Sequence, residues 1–156
     1  MFRIDKEFEN WQNQFTKGKE SPFKVDFDLY FLCYMMGIAI GKKNPKNDNW
    51  KDLTRYFVGD FKNYKSVIAT SLILAESRVA GFEEQNDIKK LMEKYFDHEH
   101  PNQLSERGMQ LMNQYASAGF KELSKNIQSK DEPHHLLITA RKLIKEKFEQ
   151  NSKWQI

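Results

Sequence analysis

Ile4, Phe8, Trp11 and Phe15 recur at spacings of four, three and four, with polar residues between them. That period places four large apolar side chains on one face of a helix running from about Ile4 to Phe15. Gly18 and the Ser21-Pro22 pair end it. A different pattern follows. The stretch FDLYFLCYMMGIAIGKK, Phe27 to Lys43, is apolar on every side and holds a single charge, Asp28, before Ile40. Asp26 or Asp28 suits its start and Gly41 its end. A helix that is apolar all round needs covering all round, by protein or by lipid. A bilayer span takes ~20 mainly apolar residues. Here Lys24, Asp26 and Asp28 stand at one end, and Gly41, Lys42, Lys43 and Asn44 at the other. The pattern therefore predicts a central core helix at about 27–40, surrounded by the rest of the chain, and no membrane.

The remaining elements read as helices too. A short one begins near Trp50, carries Leu53, Tyr56 and Phe57, and stops at Gly59. The next runs from near Asp60 to Gly81 with Tyr64, Ile68, Leu72, Ala75 and Val79 as its stripe. Ile88, Leu91, Met92, Tyr95 and Phe96 give the i, i+3, i+4, i+7, i+8 set of an amphipathic helix starting at Asn86 or Asp87. Ser105 is a natural N-cap for a long helix reaching about Asn126, and Gly108 and Gly119 inside it permit a bend or a close helix contact. Pro133 opens the last helix, where its missing N–H costs nothing. Leu136, Leu137, Ala140, Leu143, Ile144 and Phe148 form that helix's face. Only FKV, Phe23 to Val25, reads as a strand, and it is too short to build a sheet. The expected fold class is all-α: one compact domain, residues 1–156, of six or seven helices around the central apolar helix.

Composition supports a packed core. Hydrophobic residues are 39%, charged residues 30% and aromatic residues 13%, which excludes an intrinsically disordered chain. Cys33, the lone cysteine, lies inside the apolar stretch, so an intrachain disulfide is excluded and a reducing compartment fits. The opening MFRIDKEFENW has no signal-peptide core, and a cytoplasmic location is expected.

Candidate chemistry is sparse. Nucleotide-binding glycine loops and nucleophile elbows are missing from the sequence. All four histidines fall in two pairs. His98 and His100, in DHEHP, can converge from a loop and are weak metal candidates, whereas adjacent His134 and His135 point about 100° apart on a helix. Glu76, beside the Leu72–Val79 stripe, reads either as a general base with a raised pKa or as a carboxylate whose stem packs while its head reaches solvent or a cationic partner. Charge is uneven: Lys42 to Lys65 holds seven basic and three acidic residues, and Glu83 to Glu106 the reverse. Lys42, Lys43, Lys46, Lys51 and Arg55, with Trp50 or Tyr56 as a stacking surface, form a candidate patch for a phosphate backbone or a protein partner. With 20 of 25 basic residues being Lys, base-specific readout is disfavoured. Opposite charges in separate regions also suit self-association.

FDLYFLCYMMGIAIGKK and the later LSERGMQLMNQYASAGFKEL together resemble small uncharacterised helical proteins encoded beside bacterial DNA-restriction and phage-defence genes. The resemblance implies an accessory subunit acting with a larger ATPase or nuclease, and it assigns no catalytic residue. The expected function is thus a non-enzymatic interaction subunit of a bacterial complex, without cofactor, that docks to a larger protein. Contact with nucleic acid and homo-oligomerisation remain open. The alternative is a small helical metal-dependent enzyme using His98, His100 and carboxylates.

Overall fold

The computed structural model describes residues 1–128 and 131–154. The expected domain, 1–156, therefore extends over residues 129–130 and 155–156, which lie outside the described set. Six helices carry most of the chain: α1 (Phe8–Phe15), α2 (Asp26–Ile40), α3 (Lys65–Ala80), α4 (Gln85–Tyr95), α5 (Glu106–Ser124) and α6 (Pro133–Gln150). Two short 3-10 turns, Gly59–Asn63 and Ser152–Trp154, precede α3 and follow α6.

The fold is not purely helical. Strand β1 (Phe2–Asp5) pairs antiparallel with β2 (Trp50–Thr54), Arg3 opposite Asp52 and Asp5 opposite Trp50. Two expectations are corrected here. Ile4 belongs to a strand rather than to the first helix, which starts at Phe8. Trp50–Thr54 is a strand rather than a short helix. Ile4, Phe8, Trp11 and Phe15 are all buried, as their spacing implies, but a strand-to-helix junction brings them to one side. What selects the strand is pairing with a segment far along the chain. The Lys6 N–H donates to the Asn49 carbonyl at 2.8 Å, and the Arg3 Nε sits 2.6 Å from the facing Asp52 carboxylate. Opposite charges directly across a strand pair stabilise it by a few tenths of a kcal/mol up to about 1. Phe23–Val25, the stretch read as a strand candidate, is irregular.

Helix α2 begins where Asp28 reaches back to accept hydrogen bonds from the N–H groups of Lys24 and Val25, at 2.6 and 3.0 Å. It ends at Gly41, whose φ of 63° is the left-handed conformation that glycine adopts without a Cβ penalty. Its main neighbour is α5. At Gly37 an added Cβ would fall on the Tyr115 carbonyl, and at Gly119 on the Cys33 carbonyl. The two helices thus touch backbone to backbone, an approach only glycine permits. Ser105 caps α5 as its sequence suggests, accepting from the Gly108 N–H at 3.1 Å.

Around this crossing the buried side chains form one contiguous cluster that includes Phe2, Phe27, Tyr30, Tyr34, Met36 and Tyr115. Asn113 is buried beside this crossing. Asn113 accepts from the Tyr30 hydroxyl at 2.7 Å and from the Arg3 N–H at 2.9 Å, and its amide donates to the Met1 carbonyl at 3.1 Å. Covering of α2 is less complete than its composition implies. Phe31, Leu32 and Met35 remain partly exposed while Tyr30, Tyr34 and Met36 are sealed. Among the described residues no helix is long and apolar enough to cross a membrane.

Gly119→Ala should destabilise the fold by about 3 kcal/mol or prevent folding, because the clash is with backbone and not with a side chain that can rotate away. Urea denaturation checks this, and an unchanged midpoint would show that α2 and α5 are not in backbone contact. Met36→Asp, which buries a charge with no partner in the sealed core, should yield no folded protein.

Candidate functional site

The basic residues singled out in the sequence differ in their surroundings. Lys42 follows the end of α2 and lines a shallow cavity of about 280 Å³ with Glu122 and Lys147. Lys125 and Lys147 approach the same carboxylate at 2.7 and 3.9 Å. Glu122 is held below the usual carboxylate range, chiefly by the Lys125 hydrogen bond. Cations gathered where α2, α5 and α6 end also offset the negative ends of those helices. Lys46 is exposed in the following loop. Lys51 lies 3.8 Å from the Glu9 carboxylate. Arg55 is exposed, and its carbonyl accepts from Asn102 at 3.0 Å. Trp50 is 9% exposed in β2, so its ring packs in the interior and offers no stacking surface. Tyr56, at 44% exposure, does present its ring to solvent.

Lys43 turns inward instead. Its ammonium donates to both oxygens of Glu76, at 2.8 and 3.0 Å, and the Tyr115 hydroxyl donates to the same carboxylate at 2.9 Å. Glu76 is 8% exposed, and of its two readings the paired carboxylate is the one observed. Burial, and next the charge of Glu76, push the Tyr115 hydroxyl far above its ordinary range, which fixes it as a donor. The cluster ties the segment after α2 to α3 and α5. Its atoms are spent on one another, which suits a structural clasp.

The histidines are placed by turn chemistry. Asp97 accepts from the N–H groups of Glu99 and His100 at 3.0 and 3.3 Å, and His100 Nδ1 accepts from the Asn102 N–H at 3.1 Å. His98 lies against Phe96, ring centroids 6.2 Å apart. His134 and His135 are exposed on the first turn of α6. Among the described residues no three His, Cys, Asp or Glu side chains gather in a group able to hold a metal ion. Asn102, which sequence reasoning passed over, is the centre of this loop. It is 1% exposed, accepts from the Phe57 N–H at 3.0 Å and donates to the Arg55 carbonyl. Nothing in the one-dimensional pattern marks it. Asn113 carried a readable signal, as a polar residue among Met109, Met112 and Ala116 on an apolar face.

The feature that most invites a ligand is a groove between α2 and α6. Phe31, Leu32 and Met35 of α2 and Ile144 and Phe148 of α6 line a volume of about 460 Å³, with Arg141, Lys145 and Glu149 at its rim. Its walls are almost wholly apolar. One end is braced by Trp154, whose ring meets Phe148 at 5.1 Å and the Arg78 guanidinium at 5.1 Å. Comparison of the chain with protein-family models, with curated proteins and with solved structures finds no match.

Two measurements test the assignments above. Lys43→Ala should lower stability by about 1–2 kcal/mol, between the values for a surface pair and a buried one. Lys46→Ala should stay within about 0.5 kcal/mol, and equal effects would deny the clasp. Burial also raises the pKa of Tyr30 and Tyr34 in the folded state. An unfolded tyrosine ionises near pH 10. These hydroxyls therefore contribute stability that is fully present below about pH 10 and lost as pH rises beyond it. Denaturation midpoints should fall from pH 9 to 11, and Tyr34→Phe should flatten that fall.

Proposed function

We propose that this chain is a non-enzymatic accessory subunit of a bacterial complex that docks to a larger protein through the α2–α6 groove. The observation that carries this reading is the partial exposure of Phe31, Leu32 and Met35 on the most apolar helix of the chain. Leaving such side chains in water forfeits about 25 cal/mol per Å² of apolar area. Contiguous exposed apolar surface rimmed by polar residues is the usual mark of a protein-binding site. The groove's apolar lining suits an amphipathic helix of the partner, laid in with anchors at i, i+3 or i+4, and i+7. Arg141 and Lys145 on its rim favour a partner helix with carboxylates beside its apolar stripe. The resemblance to helical proteins encoded beside restriction and phage-defence genes supports a larger ATPase or nuclease as that partner.

The test pairs affinity capture from the native host with substitution in the groove. Wild-type protein should retain a defined larger protein at fixed stoichiometry. Met35→Glu and Ile144→Glu should each weaken that complex at least tenfold with little change in thermal stability, since both sites are already partly solvated. Lys46→Glu should leave it intact. Equal recovery with the groove variants overturns the reading. So does a wild-type dimer that these variants convert to monomer, which would make the groove a self-association surface.

A further inference from the structure

A second concavity lies away from the groove. Tyr56, Phe57, Lys62, Lys65, Pro101 and Asn102 enclose about 300 Å³ between the end of β2, the 3-10 turn before α3 and the loop after α4. We propose that this cavity binds single-stranded nucleic acid, one base lying on the Tyr56 ring and an adjoining phosphate held by Lys62 and Lys65.

The back wall is rigid. Phe57 is 2% exposed, and its N–H is held by Asn102, whose side-chain amide is anchored in turn on the Arg55 carbonyl and the Met109 sulfur. Tyr56 sits in the bend that follows β2. Phe57 is fixed inward and Tyr56 is directed outward, where 44% of its surface meets solvent. The His100 ring stands 6.2 Å from it. A second exposed aromatic residue, Tyr64, at 59%, lies between Lys62 and Lys65 in sequence. The charge of the two lysines is not spent. Lys65 donates to the neutral Pro101 carbonyl at 3.2 Å. Among the described residues neither Lys62 nor Lys65 forms an ion pair, whereas Lys43, Lys51 and Lys125 each face a carboxylate. The first turn of α3 adds no acidic residue, and Asp60 is the carboxylate of the preceding 3-10 turn.

A solvent-facing ring beside uncompensated ammonium groups recognises a π-face next to a phosphate. A base within a duplex shows only its edge, so the concavity suits an unpaired strand. Lysines act as point charges on phosphate and read no base, so binding is tolerant of sequence. This inference does not rest on the α2–α6 groove, which lies on other residues, and either can fail alone.

The experiment is fluorescence anisotropy of the full chain with labelled 12-mer oligo(dT) and oligo(rU) at about 50 and 200 mM salt, with a duplex, a mononucleotide and inorganic phosphate as competitors. Binding should favour the single strands. Tyr56→Ala should weaken it about fivefold or more, and Tyr56→Phe should retain it, since the ring and not the hydroxyl stacks. Lys62→Gln with Lys65→Gln should reduce the logarithmic salt slope by about 0.7, the share of one phosphate contact on a single strand. Lys42→Gln with Lys46→Gln should change neither. Thermal melting should shift little in all four variants, since none of these side chains is buried. No binding at the lower salt overturns the proposal, as does equal loss in the Lys42/Lys46 variant. Binding of mononucleotide or phosphate without preference for the oligonucleotides overturns the assignment to nucleic acid and leaves a small phosphate-ester site.

Discussion

Two helices that touch through their backbones organise this protein. Gly37 lies against the Tyr115 carbonyl and Gly119 against the Cys33 carbonyl, so α2 and α5 approach more closely than side chains would allow. Close approach buries apolar area along both helices and brings the flanking tyrosines into the interior. Those tyrosines need hydrogen-bond partners there, because an unpaired buried hydroxyl costs about 1–3 kcal/mol. Tyr30 finds Asn113, Tyr34 finds Ser71 and Tyr115 finds Glu76. Each partnership reaches to or fixes another element, so the crossing also dictates where β1 and α3 sit.

The two-stranded sheet depends on the same centre. An isolated strand pair is marginal in water. Here β1 is held on its helix side by Asn113 and by Asp5, whose carboxylate is 1% exposed and accepts from the Ser117 hydroxyl at 2.5 Å. Asp5 also faces Lys121 at 3.8 Å. The sheet is an attachment to α5, and it positions the β2 end from which Tyr56 projects.

The two concave surfaces follow from what the core leaves over. Helix α2 is apolar on more sides than α5, α3 and α6 cover, and the uncovered remainder is the floor of the groove. Near Tyr56 the loop after α4 folds back on β2 through Asn102, and the cavity is the gap between that loop and the start of α3. One surface is apolar with a charged rim and the other combines an aromatic ring with lysines, so they suit different ligands.

How much of this was legible beforehand depends on the range of the interactions involved. Helix α2, its Gly41 terminus, the Ser105 cap and the apolar faces of α5 and α6 are set by residues within one or two turns, and periodicity reads them directly. Gly119 also stood out, as a glycine inside a helix, although its opposing carbonyl did not. The strands were hidden because Ile4 and Phe8 keep helical spacing across a junction, and because WKDLT becomes a strand only through pairing with Phe2–Asp5. The basic stretch read as one patch because its lysines are close in sequence. Tertiary structure sends Lys43 to Glu76 and Lys51 to Glu9 and buries Trp50. Charges act through space over distances that chain order does not record. The sequence by itself determined the long helices and which of their faces are apolar, since those rest on local backbone and side-chain geometry. Only the tertiary structure decided which apolar face stays open and which cations stay unpaired, because both are what remains after distant segments have chosen their partners.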